Sequence, residues 1–272
     1  MKRSFVLLCL FLATAFSSAQ TATQPAGDCA SLTHQALELS GFNLSIDYLT
    51  ASLVSDRFMQ QMSGRTNSSE FADTMKPVLQ KEFSGELLRR EMQSRMAAHC
   101  NPEQMAQTVQ KLQTPFIGRM LALEAATNTA EGQEKLKKYI NIAQTVPPSD
   151  DRMDALDALD ASAGVSDFVT DFEIAMFRGI MSGSGAPPDI LAQIQTHRKD
   201  LKIQRQNYVV LGMNVTYHGV TRPELQQYAR DLSAQPLKSF YAQVRKTFVE
   251  IVEERAQAIG RDLQKTLGPP TT

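Results

Sequence analysis

The sequence predicts an all-α protein of about a dozen helices, arranged as two related multi-helix halves. Apolar residues recur at intervals of three or four along almost every segment after residue 27, which is the period of a helix with one buried face. Asn-Pro, Thr-Pro and Gly-rich steps separate these segments, as helix starts and stops do. No segment alternates like a strand for long, and neither Asn-Gly nor Asp-Gly occurs as a hairpin turn.

The first 19 residues have the pattern of a cleavable bacterial secretion signal. Lys2 and Arg3 precede an apolar run over residues 5–16, and the small residues 17–19 follow it. Cleavage after Ala19 would place the mature protein in the periplasm or outside the cell. A lipid anchor on Cys9 is the alternative. No later apolar stretch reaches the roughly 20 residues of a membrane span, so no transmembrane anchor is expected after cleavage.

The charge of the mature chain argues against nucleic acid as a partner. Removal of Lys2 and Arg3 from the 28 basic residues leaves 26 against 29 acidic ones, a formal net charge of −3. A nucleic-acid-binding protein would need a basic face.

The first half, residues 20–147, contains several apolar stripes with helical spacing. Pro77 is expected to begin or kink a helix, and Asn101 and Thr114 are expected to precede helices that begin at prolines. A basic and polar helix over residues 130–144 then leads to Pro147 and Pro148, the expected boundary. The stripes comprise Ile46, Leu49, Leu53, Val54, Phe58 and Met62; Phe71, Met75, Val78 and Leu79; Leu87, Leu88, Met92 and Met96; and Phe116, Ile117, Met120, Leu121 and Leu123.

The second half, residues 148–272, shows the same periodicity. One long helix is predicted over residues 189–217. Thr221 and Glu224 have the spacing of a capping box, and Pro236 is expected to open the last helix. The apolar positions are Met153, Leu156 and Leu159; Phe168, Phe172, Met176, Phe177 and Ile180; Ile190, Ile194, Leu201, Tyr208, Leu211 and Val215; and Phe240, Tyr241, Val244, Phe248, Ile251, Val252, Ile259, Leu263 and Leu267.

Helix starts and stops at matching positions in the two halves predict a tandem repeat of about 120 residues. His99 and His218 each stand at a predicted helix end just before a new helix. In both halves a second proline follows the first after 13 residues, from Pro102 to Pro115 and from Pro223 to Pro236. Each half should therefore contain a helix of about three turns followed by a helix that a proline opens.

Two segments resemble a bacterial periplasmic family of unknown function, domain of unknown function 2059. The segment over residues 223–236, with Pro223, Glu224 and Leu225 at its start, looks like the family's Glu-Leu and Pro pattern. Residues 131–136 resemble its Gly-x-Lys-Leu end. The resemblance covers about a third of the mature chain. It implies a helical exported fold and supplies no activity.

Cys29 and Cys100 are the cysteines that remain after residue 19. In an oxidising compartment two cysteines most simply pair, and Cys29 opens the first predicted helix while Cys100 follows a later one. The alternative is two buried thiols that act as small hydrophobic side chains.

The aspartates of Asp150-Asp151-Arg152-Met153-Asp154 have the spacing with which terpene synthases hold Mg²⁺. The alternative is an acidic helix start, since carboxylates in a first turn complement the helix dipole. Asp157 and Asp160 would then extend a solvent-facing polar side. We favour the acidic helix start and therefore predict no metal site.

The remaining polar residues predict neither a cofactor nor a catalytic site. The sequence lacks a nucleophile elbow, a phosphate loop and a Cys-x-x-Cys pair. The four histidines have no metal-ligand spacing on one helix; they are His34, His99, His197 and His218.

Methionine is abundant, and tryptophan is absent. A Met-rich core is one interpretation, and a groove for an apolar ligand or an unfolded chain is the other. The residues concerned are Met59, Met62, Met75, Met92, Met96, Met105 and Met120.

The sequence thus favours a non-enzymatic binding or interaction module of the cell envelope, with an unknown protein or apolar small molecule as partner. A carrier of a lipid or other apolar ligand predicts a cavity lined by methionine and phenylalanine. A periplasmic chaperone predicts exposed apolar patches along the helices at residues 189–217 and 236–267. An enzyme predicts convergent polar groups with shifted pKa values in one cleft.

Overall fold

A computed structural model describes residues 28–55, 69–143 and 148–267. In these ranges the chain forms helices joined by short connections and no strands, which confirms the all-α class and the dozen or so helices. None of these helices is both long enough and apolar enough to span a membrane. The secretion signal expected at residues 1–19 lies outside the described residues.

In the described residues, seven helices precede the expected boundary. Asn101 caps one of them through a 3.0 Å hydrogen bond from Gln104 N to its Oδ1, and Pro102 and Pro115 open helices, as the sequence predicts. Pro77 lies inside a helix rather than at its start. The helices are α1 (Cys29–Leu39), α2 (Phe42–Leu53), α3 (Ser69–Glu82), α4 (Gly85–Ala98), α5 (Pro102–Leu112), α6 (Pro115–Thr127) and α7 (Ala130–Ala143).

Six helices follow the boundary within residues 148–267. The predicted capping box is present, and Thr221 N donates to Glu224 Oε2 over 2.8 Å. The helices are α8 (Asp150–Ala163), α9 (Val165–Gly183), α10 (Pro188–Thr196), α11 (Arg198–Thr216), α12 (Arg222–Ser233) and α13 (Leu237–Leu267).

The prediction of a single helix over residues 189–217 is wrong, because the helix is interrupted at His197 between α10 and α11. No residue of α10 is buried, so packing does not hold α10 in line with α11. At the start of α11, Arg198 donates to Asp171 over 2.7 Å and to Asp167 over 2.9 Å, both on α9. These ion pairs anchor α11 independently of α10.

The tandem repeat stays a prediction. The short helices α5 and α12 contain 11 and 12 residues, close to the expected three turns. The helices that follow them differ, since α6 has 13 residues and α13 has 31.

Helix α13 is the central element of the core. Its apolar side packs against α3 and α4 of the first half and against α9 of the second. The buried residues of both halves form one hydrophobic cluster, so the core is continuous across the expected boundary at residues 147 and 148. The buried apolar positions of α13 are Leu237, Phe240, Val244, Phe248, Ile251, Val252, Ala256, Ile259 and Leu263.

Helices α9 and α13 run parallel and come into backbone contact at one end. A Cβ at Gly179 would overlap Ala256 Cβ and the carbonyl oxygen of Glu253, and one at Gly183 would overlap the carbonyl oxygen of Gln257. From the other side, a Cβ at Gly260 would overlap the carbonyl oxygen of Ile180. Small residues on both helices therefore allow an approach that larger side chains would prevent.

Ion pairs join the first half to α13 beside this core. Arg255 donates from Nη1 to the buried Glu82 over 3.3 Å and also bonds Glu91 of α4. Arg95 of α4 donates from Nη1 to Glu254 over 2.8 Å. These contacts orient α3 and α4 on the central helix.

The structure joins Cys29 and Cys100 in a disulfide, with their Cα atoms 5.8 Å apart. The bond ties the first residue of α1 to the connection between α4 and α5, two of the helices against which α1 packs. It closes a loop with a sequence separation of 71.

The methionines of the first half fill the core. Met92, Met96 and Met120 have no exposed surface, and Met75 and Met105 are at most 5% exposed. The interpretation as core residues is therefore correct for these five. Met59 and Met62 lie outside the described residues.

Gly179→Ala should destabilise the protein, because the added methyl forces α9 and α13 apart. Overpacking of this kind costs about 1–3 kcal/mol, which chemical denaturation would measure. Gly118→Ala is the matched control: Gly118 lies on α6 with no heavy atom within 4 Å of its virtual Cβ. That change should stabilise the protein by about 0.5–1 kcal/mol through helix propensity. Equal effects of the two substitutions would contradict the close crossing.

Loss of the disulfide should lower the free energy of unfolding by about 4 kcal/mol on the chain-entropy estimate for a loop of this length. The comparison is between oxidised wild type and Cys29→Ala/Cys100→Ala by urea denaturation. Thiol titration of the unfolded mature protein provides the control. Two free thiols before reduction would show that the bond does not form.

Candidate functional site

A recess of about 280 Å³ lies where both halves meet. It extends from the exposed Ser45 on α2 to the buried Tyr217 and Tyr228. The lining residues come from α2, α6, α8, α9, α11, α12, α13 and the turn after α6: Ser45, Glu124, Thr127, Asn128, Ala163, Val165, Met213, Thr216, Tyr217, Tyr228, Leu232 and Tyr241.

A carboxyl group held by two tyrosines is the chemical centre of the recess. The hydroxyl groups of Tyr217 and Tyr228 each donate to Oε1 of Glu124 over 2.7 Å. The rings of these tyrosines form a T-shaped pair with centroids 6.2 Å apart, and Tyr241 adds a third aromatic side chain. No described residue donates to Oε2 of Glu124, and no Lys or Arg lines the recess in the described part of the chain.

The surroundings shift the pKa values of this cluster. Burial raises the pKa of Glu124, and the hydrogen bonds from Tyr217 and Tyr228 offset part of that rise. Burial and the charge of Glu124 raise the pKa of both tyrosines well above the ordinary value. Burial likewise raises the pKa of Tyr241. The hydroxyl groups thus remain protonated donors, while the carboxyl group is the one that can change its charge.

Arg152 of α8 holds the backbone of Tyr217 in place. Its guanidinium donates to the carbonyl oxygens of Tyr217 over 2.8 Å and of Val220 over 3.0 Å, and also bonds the side chain of Asn214. Asn214 in turn donates to Tyr139. A cation at these carbonyl groups complements the negative end of the α11 dipole. Tyr217 is thereby fixed at both its backbone and its hydroxyl group.

A second set of contacts holds α6, which carries Glu124, against α12, which carries Tyr228. Arg119 donates to Glu224 over 2.6 Å, and Lys111 at the end of α5 donates to Asp231 over 2.7 Å. Hydrogen bonds from Thr221 and Arg119 lower the pKa of Glu224 to about 2. The ring of Phe116 packs edge-on against Tyr228 with centroids 6.4 Å apart.

Polar groups form the rim of the recess. Thr127 donates to the hydroxyl oxygen of Thr216 over 3.0 Å, which links α6 to α11. Asn128 donates to Ser45 over 3.4 Å, which links the turn after α6 to α2. The recess therefore combines buried tyrosine side chains with a polar rim that can hydrogen-bond a ligand.

The aspartates with metal-site spacing lie apart from this recess. Asp150 and Asp151 occupy the first turn of α8, where Asp151 pairs with Arg222 over 3.2 Å, and Asp154 is exposed. In the described ranges no group of three His, Cys, Asp or Glu residues could hold a metal ion.

The expectation that Asp160 faces solvent is wrong. Asp160 is only 3% exposed, and its Oδ1 accepts a 2.8 Å hydrogen bond from Ser166 N at the start of α9. Gly164, with φ of 67°, makes the turn that brings Asp160 and Ser166 together. The carboxylate satisfies a backbone N–H at a helix start, which the helical period of α8 does not reveal.

Sequence reasoning missed Glu124, Arg152 and the tyrosine set. One signal was present, because Glu124 stands alone among the apolar residues at 120–126, and an isolated charge in an apolar run needs a partner. The partners could not be read from the sequence, since Tyr217 and Tyr228 are 93 and 104 residues away.

Comparison of the chain with protein-family models, curated proteins and solved structures found no match. The resemblance to domain of unknown function 2059 therefore stays a prediction.

Glu124→Gln should gain stability relative to wild type as the pH rises from 4 to 8. A carboxyl group with a raised folded-state pKa contributes stability that is present below its unfolded pKa and is lost as pH rises through the folded value. The amide keeps an oxygen that accepts both tyrosine bonds but does not ionise. Urea denaturation across this range would measure the trend.

The control for charge removal alone is Glu103→Gln, at an exposed position of α5. If the two variants show the same pH trend, burial does not raise the pKa of Glu124.

Proposed function

We propose that this chain is a non-enzymatic binding module of the bacterial cell envelope that takes a small ligand into the recess at Glu124. The observation that carries the proposal is the convergence of one carboxyl group and three tyrosines on a recess of about 280 Å³. This volume is just below the range of about 300–1,000 Å³ that is usual for small-molecule sites. It suits a compact molecule better than a long lipid chain.

The arrangement supports binding more than catalysis. Both tyrosine hydroxyl groups already donate to Glu124, and their raised pKa values make them poor acids and nucleophiles. Oε2 of Glu124 is left as an acceptor for a ligand. Convergent polar groups with shifted pKa values match the expectation for an enzyme, but this geometry holds the protons in place.

The lining of the recess argues against a lipid carrier of the expected kind. That hypothesis predicts methionine and phenylalanine around the cavity, whereas the recess has one methionine, Met213, and no phenylalanine among its described lining residues. The first-half methionines that the structure describes lie in the packed core instead.

The surface gives partial support to a chaperone-like protein. Ile190 of α10 is 36% exposed, and Ile203 and Tyr208 of α11 are 56% and 61% exposed, in line with that hypothesis. The chaperone hypothesis also predicts exposed apolar residues on α13. In the described part of that helix the large apolar side chains are buried or half-buried. Three separate apolar residues on α10 and α11 are a weaker basis than the recess.

Two observations support the compartment. Residues 1–19 have the pattern of a secretion signal, and the bond between Cys29 and Cys100 suits an oxidising environment.

Val165→Phe should abolish ligand binding, because the larger ring fills the recess. Native mass spectrometry of the exported protein, purified without detergent, should show a small-molecule adduct on wild type and at least about tenfold lower occupancy on the variant.

Val78→Phe is the matched control, because Val78 is a half-buried valine of α3 outside the recess. It should keep the adduct. A bare mass for wild type, or an adduct retained by Val165→Phe, would contradict the proposed function.

A further inference from the structure

The recess has an unbalanced negative charge when Glu124 is ionised. Its described lining residues include one carboxyl group and no basic side chain. The nearest cations along α5 and α6 are engaged elsewhere, since Lys111 pairs with Asp231 and Arg119 pairs with Glu224. Arg119 also lies over the ring of Phe116, 5.7 Å from its centroid. Among the described residues, none that lines the recess supplies a positive charge to Glu124.

Hydrogen bonding leaves one carboxyl oxygen for a ligand. Both tyrosine bonds end on Oε1, and Oε2 receives none from the described residues. Glu124 is half-buried, so its side chain is accessible from the recess that it lines. In a partly enclosed site with low dielectric, a charge on this oxygen attracts a cation more strongly than it would in water.

Aromatic side chains line the recess together with Glu124. Tyr217, Tyr228 and Tyr241 line the recess, and the first two rings make an angle of 69°. Aromatic faces attract ammonium groups within about 6 Å of the ring centroid, and this attraction grows when water is excluded. A carboxylate beside several tyrosines is thus complementary to a positive charge that carries an apolar surface.

We infer that the recess binds a small organic cation, an amine or quaternary ammonium compound, whose charged end lies against Glu124 and the tyrosine rings. The inference rests on the proposed function and names the ligand class for the same recess.

Volume and rim chemistry limit the size and shape of the ligand. A volume of about 280 Å³ is just below the usual range for small-molecule sites, which suits an amino alcohol better than a long acyl chain. Thr127, Asn128 and Thr216 at the rim can hydrogen-bond a hydroxyl or carbonyl group at the other end of the ligand. A compact amine with a second polar group fits both features.

Matched pairs of probes test the charge preference. Isothermal titration calorimetry of the full mature protein at pH 7.5 would compare choline with its neutral carbon isostere 3,3-dimethylbutan-1-ol, and n-butylamine with n-butanol. In at least one pair the cation should bind on the order of tenfold more tightly than its neutral partner.

Variants locate that preference in the recess. Glu124→Gln should reduce the preference to within about twofold while the neutral partner binds as before, because shape is kept and charge is lost. Tyr241→Leu should weaken the cation several-fold, and Tyr241 makes no hydrogen bond to Glu124, so this variant remains informative if the first does not fold. Glu103→Gln on α5 should behave as wild type.

The outcomes separate this inference from the proposed function. Equal binding of cation and neutral partner, or a preference that Glu124→Gln retains, would overturn the inference and leave a binding recess in place. If neither cation binds although wild type carries a native adduct, the inference also fails alone. If neither cation binds and wild type has a bare mass, both fail.

Discussion

At the crossing of α9 and α13 the two backbones meet without side chains between them, because Gly179, Gly183 and Gly260 have none to insert. Such a contact fixes how far α9 can slide along α13. The position of α9 along α13 that this contact sets also holds at the other end of α9, where Val165 lies near Tyr241 and Val244. The recess at Glu124 borders this end, so its shape depends on a contact several turns away. A core packed at high density transmits such a displacement rather than absorbing it.

Helix α13 explains why the chain folds around one core although the sequence predicts two halves. Phe248 shows this arrangement, since its ring contacts Phe42 from the first half and Phe168 and Phe172 from the second at centroid distances of 5.4, 5.6 and 6.3 Å. Arg255 adds polar contacts to Glu82 and Glu91. Helices of both halves cover the apolar surface of α13. A site at the junction of the halves follows from this shared core.

The recess combines groups that are costly to bury. A carboxyl group removed from water loses hydration, and hydrogen bonds from Tyr217 and Tyr228 compensate only part of the loss. The described lining of the recess has no basic residue, and Thr127 and Thr216 contribute hydroxyl groups to it. A fold optimised for stability alone would pair or replace such a carboxyl group. A carboxyl group with a shifted pKa at an accessible recess is typical of functional sites.

The sequence by itself determined the local features: the all-α class, most helix starts, the caps at Asn101 and Thr221, and the two cysteines available for pairing. These features depend on residues within about one helical turn of each other, which is the range that periodicity and capping rules cover. Only the tertiary structure decided the break at His197, the burial of Asp160 and the close approach at Gly179. It also brought Glu124 to Tyr217 and Tyr228, which are 93 and 104 residues away. Each of these depends on which helices become neighbours, and helical periodicity says which face of a helix is buried but not which helix will cover it.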